Sequence, residues 1–534
     1  MSAVLQFFKL EKTELRLWFV GFVVLVISFL PGILDFIWGN HDWLPLLDDS
    51  SWKSGLIEGR FAQYVFPKLL FMGKILPIFT VLFGFLFYSL AIVLLYTRFF
   101  EFSVSKTTIF PIVAAILLPY INEILYFKFI VLSQLTWPLI VVFALLAGKR
   151  AWLTKHFVIN TFFCFLFLLF AMGGYPACVN LFVTAVALWV IQISMSEKSV
   201  KKLSLCVVPF VISLIAAFLS LYFIYSLLIK HQMMISLYNN EYLSFGAVLA
   251  KVISTVKMLF VSLLQPQPFF SLFYNIIVVC LFFNFIGNYL LKSDNYKQCL
   301  LRLGLIFGLL LCLKFSAWIS NDTTQEYYVK YDPISFMVRA NFYAWPVLVL
   351  FCLAFGMSQR SKIFKNVNFV FGILLIVQSI NANYDSAKVQ SLGFEAEMRL
   401  QNRIISRIQN SPQYVPHKYY NIVQAGELSF RPRYYVGGSN EKYGYYLLKT
   451  PFTRFWLPGE SYNAFMPETF VGKNSGIYPK DISMQMLSFL GDKFSVWPSE
   501  KSVYVDDNYG IIILSSEGRK MMNEQFMKLQ RVLP

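Results

Sequence analysis

Two adjacent aspartates, with a lysine and an arginine close behind them, form the stretch of this chain whose residue types and spacing most readily do chemistry. It runs His41-Asp42-Trp43, then Asp48-Asp49-Ser50-Ser51-Trp52-Lys53, and closes with Glu58-Gly59-Arg60-Phe61. If 51–65 is helical, Asp49, Lys53 and Arg60 recur at offsets of 4 and 7 and share a face. Arg60 then lies about three turns, roughly 16 Å, from Asp49. A carboxylate at one end and cations along the same face suit a reaction in which an alcohol loses a proton and a phosphate departs. The first event needs a base and the second needs positive charge near the leaving oxygen. A purely structural account uses the same residues. Asp48 or Asp49 would cap a helix lying on the membrane, and Lys53 and Arg60 would snorkel to headgroups. Trp52, Leu56, Ile57, Phe61 and Tyr64 would then face lipid or protein at i, i+4 spacing. Both accounts are open at this level.

What must position these residues is a set of membrane helices. Hydrophobic residues make up 57% of the 534 residues and charged ones only 14%, against roughly a quarter charged in a soluble domain. This is the composition of a polytopic α-helical membrane protein. Apolar runs near the bilayer-crossing length of about 20 residues fall at 16–38, 76–97, 107–122, 130–147, 155–172, 177–194, 204–228, 268–291, 302–320, 341–357 and 366–381. That makes about eleven spans of this kind. Segments 121–131 and 248–264 leave a re-entrant or interfacial course open. The charged stretch at 39–75 then becomes the first large loop between spans, where charges beside lipid read by default as functional.

Orientation follows from the loops. Arg98 and Lys106, then Lys149, Arg150 and Lys155, then Lys198, Lys201 and Lys202, then Lys292, Lys297 and Arg302, and finally Arg360, Lys362 and Lys365 all fall on one side. The positive-inside rule makes that side cytoplasmic and the N-terminus with it. Much of the net charge of +17 is therefore a topology signal, with no call for nucleic acid as a partner. No cleavable signal peptide is expected, since the first apolar stretch is long and lacks a small-residue cleavage site. Loop 39–75, the loops near 229–267 and 321–340, and residues 382–534 are expected outside. That last region, large enough for a domain of its own, predicts a small α/β fold. A helix is expected over 387–409, strands near 419–423, 434–436 and 445–448, a hairpin of 502–505 with 511–514 around Asp506-Asp507-Asn508-Tyr509-Gly510, and a last helix over 516–529.

The remaining candidates are fewer. Glu123 and Lys128 lie at an outer turn, where they could hold a sugar hydroxyl or simply pair with each other. Arg339 enters the tenth expected span, where its guanidinium suits a phosphate and equally suits a headgroup. The outer acids Asp322, Glu326 and Asp332, with Lys330, are read as solvated, and Asp506-Asp507 as turn residues. All seven cysteines lie in or beside expected spans, and the four histidines are scattered. A disulfide scaffold in the outer region and a structural metal site are therefore not expected. Whether a divalent metal assists is left open.

The run Asp48-Asp49-Ser50-Ser51-Trp52-Lys53-Ser54-Gly55-Leu56-Ile57-Glu58-Gly59-Arg60-Phe61, leading through Leu76-Pro77 into a span, resembles the Gtr-type (serotype-converting) glucosyltransferases that decorate bacterial O-antigens. Further stretches are similar to the same family, in order: Pro119-Tyr120-Ile121-Asn122-Glu123, Gly173-Gly174-Tyr175-Pro176-Ala177, Val338-Arg339-Ala340-Asn341-Phe342-Tyr343-Ala344-Trp345-Pro346, and Ile380-Asn381-Ala382-Asn383-Tyr384. The resemblance covers most of 1–410. Phe61 stands where the family often has Trp, and Pro176 where it has Gln. The resemblance implies a GT-C bundle of the inverting type in the bacterial inner membrane, with catalytic acids in the first outer loop and a periplasmic C-terminal domain. The implied donor is a sugar, glucose in this family, carried on undecaprenyl phosphate; the implied acceptor is O-antigen or another envelope polysaccharide. Asp48 and Asp49 take the general-base place. Arg60 takes the basic place downstream; read from their own chemistry within this scheme, Arg60, Arg339 and Lys53 are the candidates for the donor phosphate, and Glu123, Lys128, Tyr175 and Trp52 for the sugar or acceptor. A glycan polymerase, a lipid-carrier flippase and a transporter stay open beside this reading. A transporter usually shows internal repeats and broken helices at the bilayer midplane, and no convincing repeat is present.

Overall fold

The computed structural model describes residues 10–34, 60–74, 76–105, 107–125, 128–197, 199–231, 272–293, 295–313, 315, 335–359, 361–416, 420–425, 486, 488–489, 495–506 and 509–530. These divide into two compact units that part between Asp385 and Ser386. The first is a helical bundle. Seven of its described helices are long and apolar enough to cross a membrane: Ile78–Phe99, Ile130–Leu153, Phe157–Gly174, Pro176–Ile193, Val200–Lys230, Phe273–Leu290 and Lys362–Lys388. The protein is thus a polytopic helical membrane protein. Bilayer interiors enforce this, because only helices or closed barrels satisfy every backbone polar group there.

In chain order the bundle helices are α1 Lys12–Ser28, α2 Leu30–Leu34, α3 Val65–Phe71, α4 Pro77–Leu94, α5 Ile109–Ile116, α6 Ile121–Leu125, α7 Lys128–Leu153, α8 Phe157–Gly174, α9 Val179–Ile193, α10 Val200–Lys230, α11 Leu272–Leu290, α12 Tyr296–Cys312, α13 Ser335–Met357 and the start of α14 Lys362–Gln409. Several expected spans take another form. The segment at 107–122 is not one helix: α5 has 8 residues, about 12 Å at 1.5 Å per residue, too short to cross. Pro119 lies just beyond its end, and a proline cannot continue the ladder of backbone bonds. Residues 121–131 hold the 5-residue α6 and the start of α7. Of the stretch at 302–320, residues 302–312 belong to the 17-residue α12, and 314 and 316–320 lie outside the described residues. The expected span at 366–381 and helix at 387–409 are a single helix of 48 residues. Segment 248–264 lies outside the described residues.

Interior packing explains the aromatic content. Tyr88 of α4 stacks on Phe342 of α13 with ring centroids 5.4 Å apart. Phe99, Trp189 and Phe210 meet through pairs at 5.5–6.5 Å. Aromatic rings favour such tilted and edge contacts. By contrast, many apolar residues of α8 and α10, such as Val158, Ile215 and Phe223, are exposed, as a lipid-facing surface requires.

Where the basic loops gather, their charges fasten helix ends. Glu14, just ahead of the first apolar run, receives Arg98 Nε on Oε1 at 2.7 Å and Arg98 Nη2 on Oε2 at 2.6 Å. Thr97 Oγ1 and the Glu11 N–H donate to the same carboxylate. Burial opposes charge on Glu14; the Arg98 hydrogen bond, then those from Glu11 and Thr97, with the Arg98 charge, outweigh it and hold the carboxyl below its ordinary 4.5. After α4 the chain loosens into one π-helical turn, Leu95–Phe99. Lys149 Nζ then donates to the carbonyls of Arg98 and Phe99 at 2.9 and 2.7 Å, and pairs with Glu101 at 2.7 Å. Arg302 likewise donates to the Tyr289 carbonyl at 2.6 Å. Last-turn carbonyls lack intrahelical partners, and these cations supply them.

The second unit contains the end of α14, a three-stranded sheet and a last helix. Strands β1 Asn421–Ala425, β2 Val503–Val505 and β3 Tyr509–Ile513 lie in the order β1-β3-β2, with β1 parallel and β2 antiparallel to β3. Every residue of β3 is buried, as befits a central strand covered on both faces. One face packs with Leu400, Ile404 and Ile408, which recur every four residues along α14. The other packs with Met522 and Phe526 of α15 Ser516–Gln530. Asp506 closes the hairpin: its Oδ1 accepts the Tyr509 N–H at 2.7 Å and its Oδ2 the Tyr504 hydroxyl at 3.1 Å. It is a turn residue, as its type and place suggest. The strands expected at 434–436 and 445–448 lie outside the described residues.

Candidate functional site

At the end of the bundle away from the basic loops, stretches far apart in sequence meet where α8 terminates. Gly173 and Gly174 let this happen. A Cβ on Gly173 would overlap the Phe61 ring, and one on Gly174 would overlap Trp137; only glycine permits so close an approach. The segment after Arg60 is thereby seated on α8, and the Ala62 N–H donates to the Gly173 carbonyl at 2.9 Å. Next along, Ser133 Oγ of α7 donates to the Gln63 carbonyl. Tyr175 follows in extended conformation, and Pro176 opens a short 3-10 turn. Proline fixes φ here and turns the chain toward α9.

Arg60 lies half-buried with its guanidinium carbon 5.1 Å from the Tyr175 ring centroid, a cation–π contact that holds the charge in place. Behind it, Tyr175 and Tyr343 rings are 5.9 Å apart. The Tyr343 hydroxyl donates to Gln134 Oε1 at 2.5 Å and is 3.4 Å from the Gln134 carbonyl. Pro138 lies inside α7 and has no N–H to give that carbonyl, four residues back. A membrane helix tolerates such a proline where a side chain takes over the freed oxygen.

A separate set of polar contacts joins α5 and α6. Asn122 Nδ2 donates to the Pro119 carbonyl at 3.0 Å and to Asn383 Oδ1 at 2.8 Å. Asn383 Nδ2 reaches back to the Leu117 carbonyl at 3.2 Å. The two amides thus satisfy the backbone at the helix break and tie it to α14. Three buried polar atoms of this region have no hydrogen-bond partner among the described residues: Gln63 Oε1, Gln134 Nε2 and Trp137 Nε1.

Of the residues singled out by sequence, Arg60 and Tyr175 are brought together. Glu123 is on α6, Lys128 opens α7 and Arg339 is in the first part of α13, but the side chains of all three lie outside the described residues. So do Asp48, Asp49, Trp52 and Lys53, as well as Asp322, Glu326, Lys330 and Asp332. Gln63, Ser133, Gln134 and Trp137 were not singled out. The signal was present for two of them: Ser133-Gln134 is a polar pair inside the apolar run at 130–147, and polar groups at membrane depth mark function or packing. Chemically, the arrangement offers one anchored cation, two phenol rings in tilted contact and buried neutral amides, a set fitted to an oxygen-rich, partly anionic ligand. Compared with protein-family models, curated proteins and solved structures, the chain matches none.

Proposed function

We propose that the protein is a membrane glycosyltransferase of GT-C type that moves a sugar, glucose by its resemblance, from a polyprenyl-phosphate carrier to an envelope glycan. What supports this reading is convergence. The five stretches that carry the resemblance meet in two groups: three through Arg60–Tyr175 and Tyr175–Tyr343, and two through Asn122–Asn383, 261 residues apart. In the proposed reaction the Asp48 or Asp49 carboxylate takes the proton of an acceptor hydroxyl. That oxygen attacks the anomeric carbon, the bond from this carbon to the phosphate oxygen breaks, and the electron pair leaves with the phosphate. Arg60, with Arg339 and Lys53, offsets the charge that develops there. Trp52, Glu123, Lys128 and Tyr175 are the proposed contacts to the sugar or the acceptor. The bundle would sit in a bacterial inner membrane, the basic loops cytoplasmic and residues after 382 periplasmic.

The deciding experiment is incubation of the purified protein with polyprenyl-phosphate-glucose and an envelope polysaccharide acceptor. Transfer of a single glucose to the acceptor supports the reading. Chain growth of a lipid-linked glycan would instead make the protein a polymerase, and movement of the lipid without bond cleavage a flippase.

A further inference from the structure

We propose that Gln63, Gln134 and Trp137 form a buried subsite that binds hydroxyl groups of a neutral hexosyl unit; this rests on the transferase reading and assigns its donor-sugar pocket. Their exposures are 2%, 1% and 0%, and each carries an unpartnered polar atom among the described residues. Buried polar groups are costly to leave unpaired, and nearly all find partners. Three such atoms in one neighbourhood point to a ligand.

That they are neighbours follows from the contacts. Ser133, adjacent to Gln134, donates to the Gln63 carbonyl. Trp137 is three residues beyond Gln134 on the same helix, hence on the same face, and packs against Gly174. Gly173 in turn holds Ala62, next to Gln63. Tyr343 engages Gln134 Oε1, so the other end of that amide keeps a fixed direction. Together they present one acceptor, Gln63 Oε1, and two donors, Gln134 Nε2 and Trp137 Nε1. A sugar hydroxyl both accepts and donates, so hydroxyls supply both kinds of partner that these atoms lack. None of the three side chains is charged, which suits a neutral hexose.

The test uses the full-length protein in detergent, with two probes: undecaprenyl-phosphate-glucose and undecaprenyl phosphate without sugar. Gln63→Met, Gln134→Met and Trp137→Phe keep shape and remove the polar atom. Each should weaken binding of the glucosyl lipid about tenfold, the scale of one hydrogen bond, and leave the sugar-free lipid unchanged. Deoxyglucosyl lipids give a second measurement that needs no variant. At least one monodeoxy lipid should bind the wild-type protein about tenfold more weakly, and a variant lacking the matching partner should show no further loss. The subsite is overturned if the variants bind the glucosyl lipid as wild type does. It is also overturned if they weaken both lipids equally, as a water-filled packing site would, or if no deoxy lipid is discriminated. A wild-type protein that binds neither lipid overturns the transferase reading itself.

Discussion

Arg60 owes its place to the aromatic ring beneath it, 5.1 Å away, and this constrains what a substitution there can do. In the proposed reaction its charge acts most on the departing phosphate. Arg60→Ala should therefore lower donor turnover by a few kcal/mol of transition-state stabilisation, on the order of 10²-fold. Arg60→Lys should recover only part, because an ammonium makes neither the paired hydrogen bonds nor the ring contact of a guanidinium. Arg339→Ala and Arg339→Lys belong in the same assay. Normal donor binding and turnover in both alanine variants would reduce the arginines to headgroup anchors. For the base, Asp48→Asn or Asp49→Asn should cut turnover by at least about 10²-fold with protein level and helicity unchanged, since Asn caps a helix about as well as Asp. Near-full activity in both would leave those aspartates a capping role alone.

Single contacts act through the elements they join. Gly174 lets the end of α8 lie against Trp137, and Trp137 is fully buried, so an added methyl has nowhere to go. Gly174→Ala should cost about 1–3 kcal/mol, the usual scale of overpacking, and should appear as a lower unfolding midpoint in detergent together with reduced transfer. Gly304 is the control, since a Cβ there meets nothing within 4 Å; Gly304→Ala should lose neither stability nor activity. Equal behaviour of the two variants would refute the tight seat of α8. At the basic end, α1 is tied to the π-helical turn after α4 through Glu14 and Arg98. Folding lowers the Glu14 pKa from 4.5. Its stabilisation is therefore fully present above about pH 4.5 and lost as pH falls through the lower folded value. Glu14→Gln should cost about 1.5–3 kcal/mol near neutrality and flatten the acid loss of stability. An unchanged acid profile in Glu14→Gln would assign that loss to other carboxylates.

For the whole molecule, the proposal depends on sidedness. Arg98, Lys149 and Arg302 are engaged at helix ends, so these cations serve packing as well as the charge bias that orients a membrane protein. A reporter fused after Gln409 should be active only if it functions in the periplasm. Activity confined to a cytoplasmic reporter would invert the bundle and remove the acidic loop from any exported substrate.

Membrane class, most helix positions and the hairpin near Asp506 were legible in the sequence, because lipid imposes length and apolarity locally and turn chemistry is local too. The seven long helices are visible for that reason. The interruption at 117–120 and the fusion of 362–409 into one helix were not. Both turn on whether freed backbone groups find partners, and those partners lie far away: Asn383, joined to Asn122 across 261 residues, decides the first. Arg60 and Tyr175 could each be suspected from type and motif. Their contact, and the burial of Gln63, Gln134 and Trp137, depends on two glycines letting 60–63 and α7 approach α8. Composition and periodicity carry no record of such pairings, since close packing between distant segments is settled only when their surfaces meet.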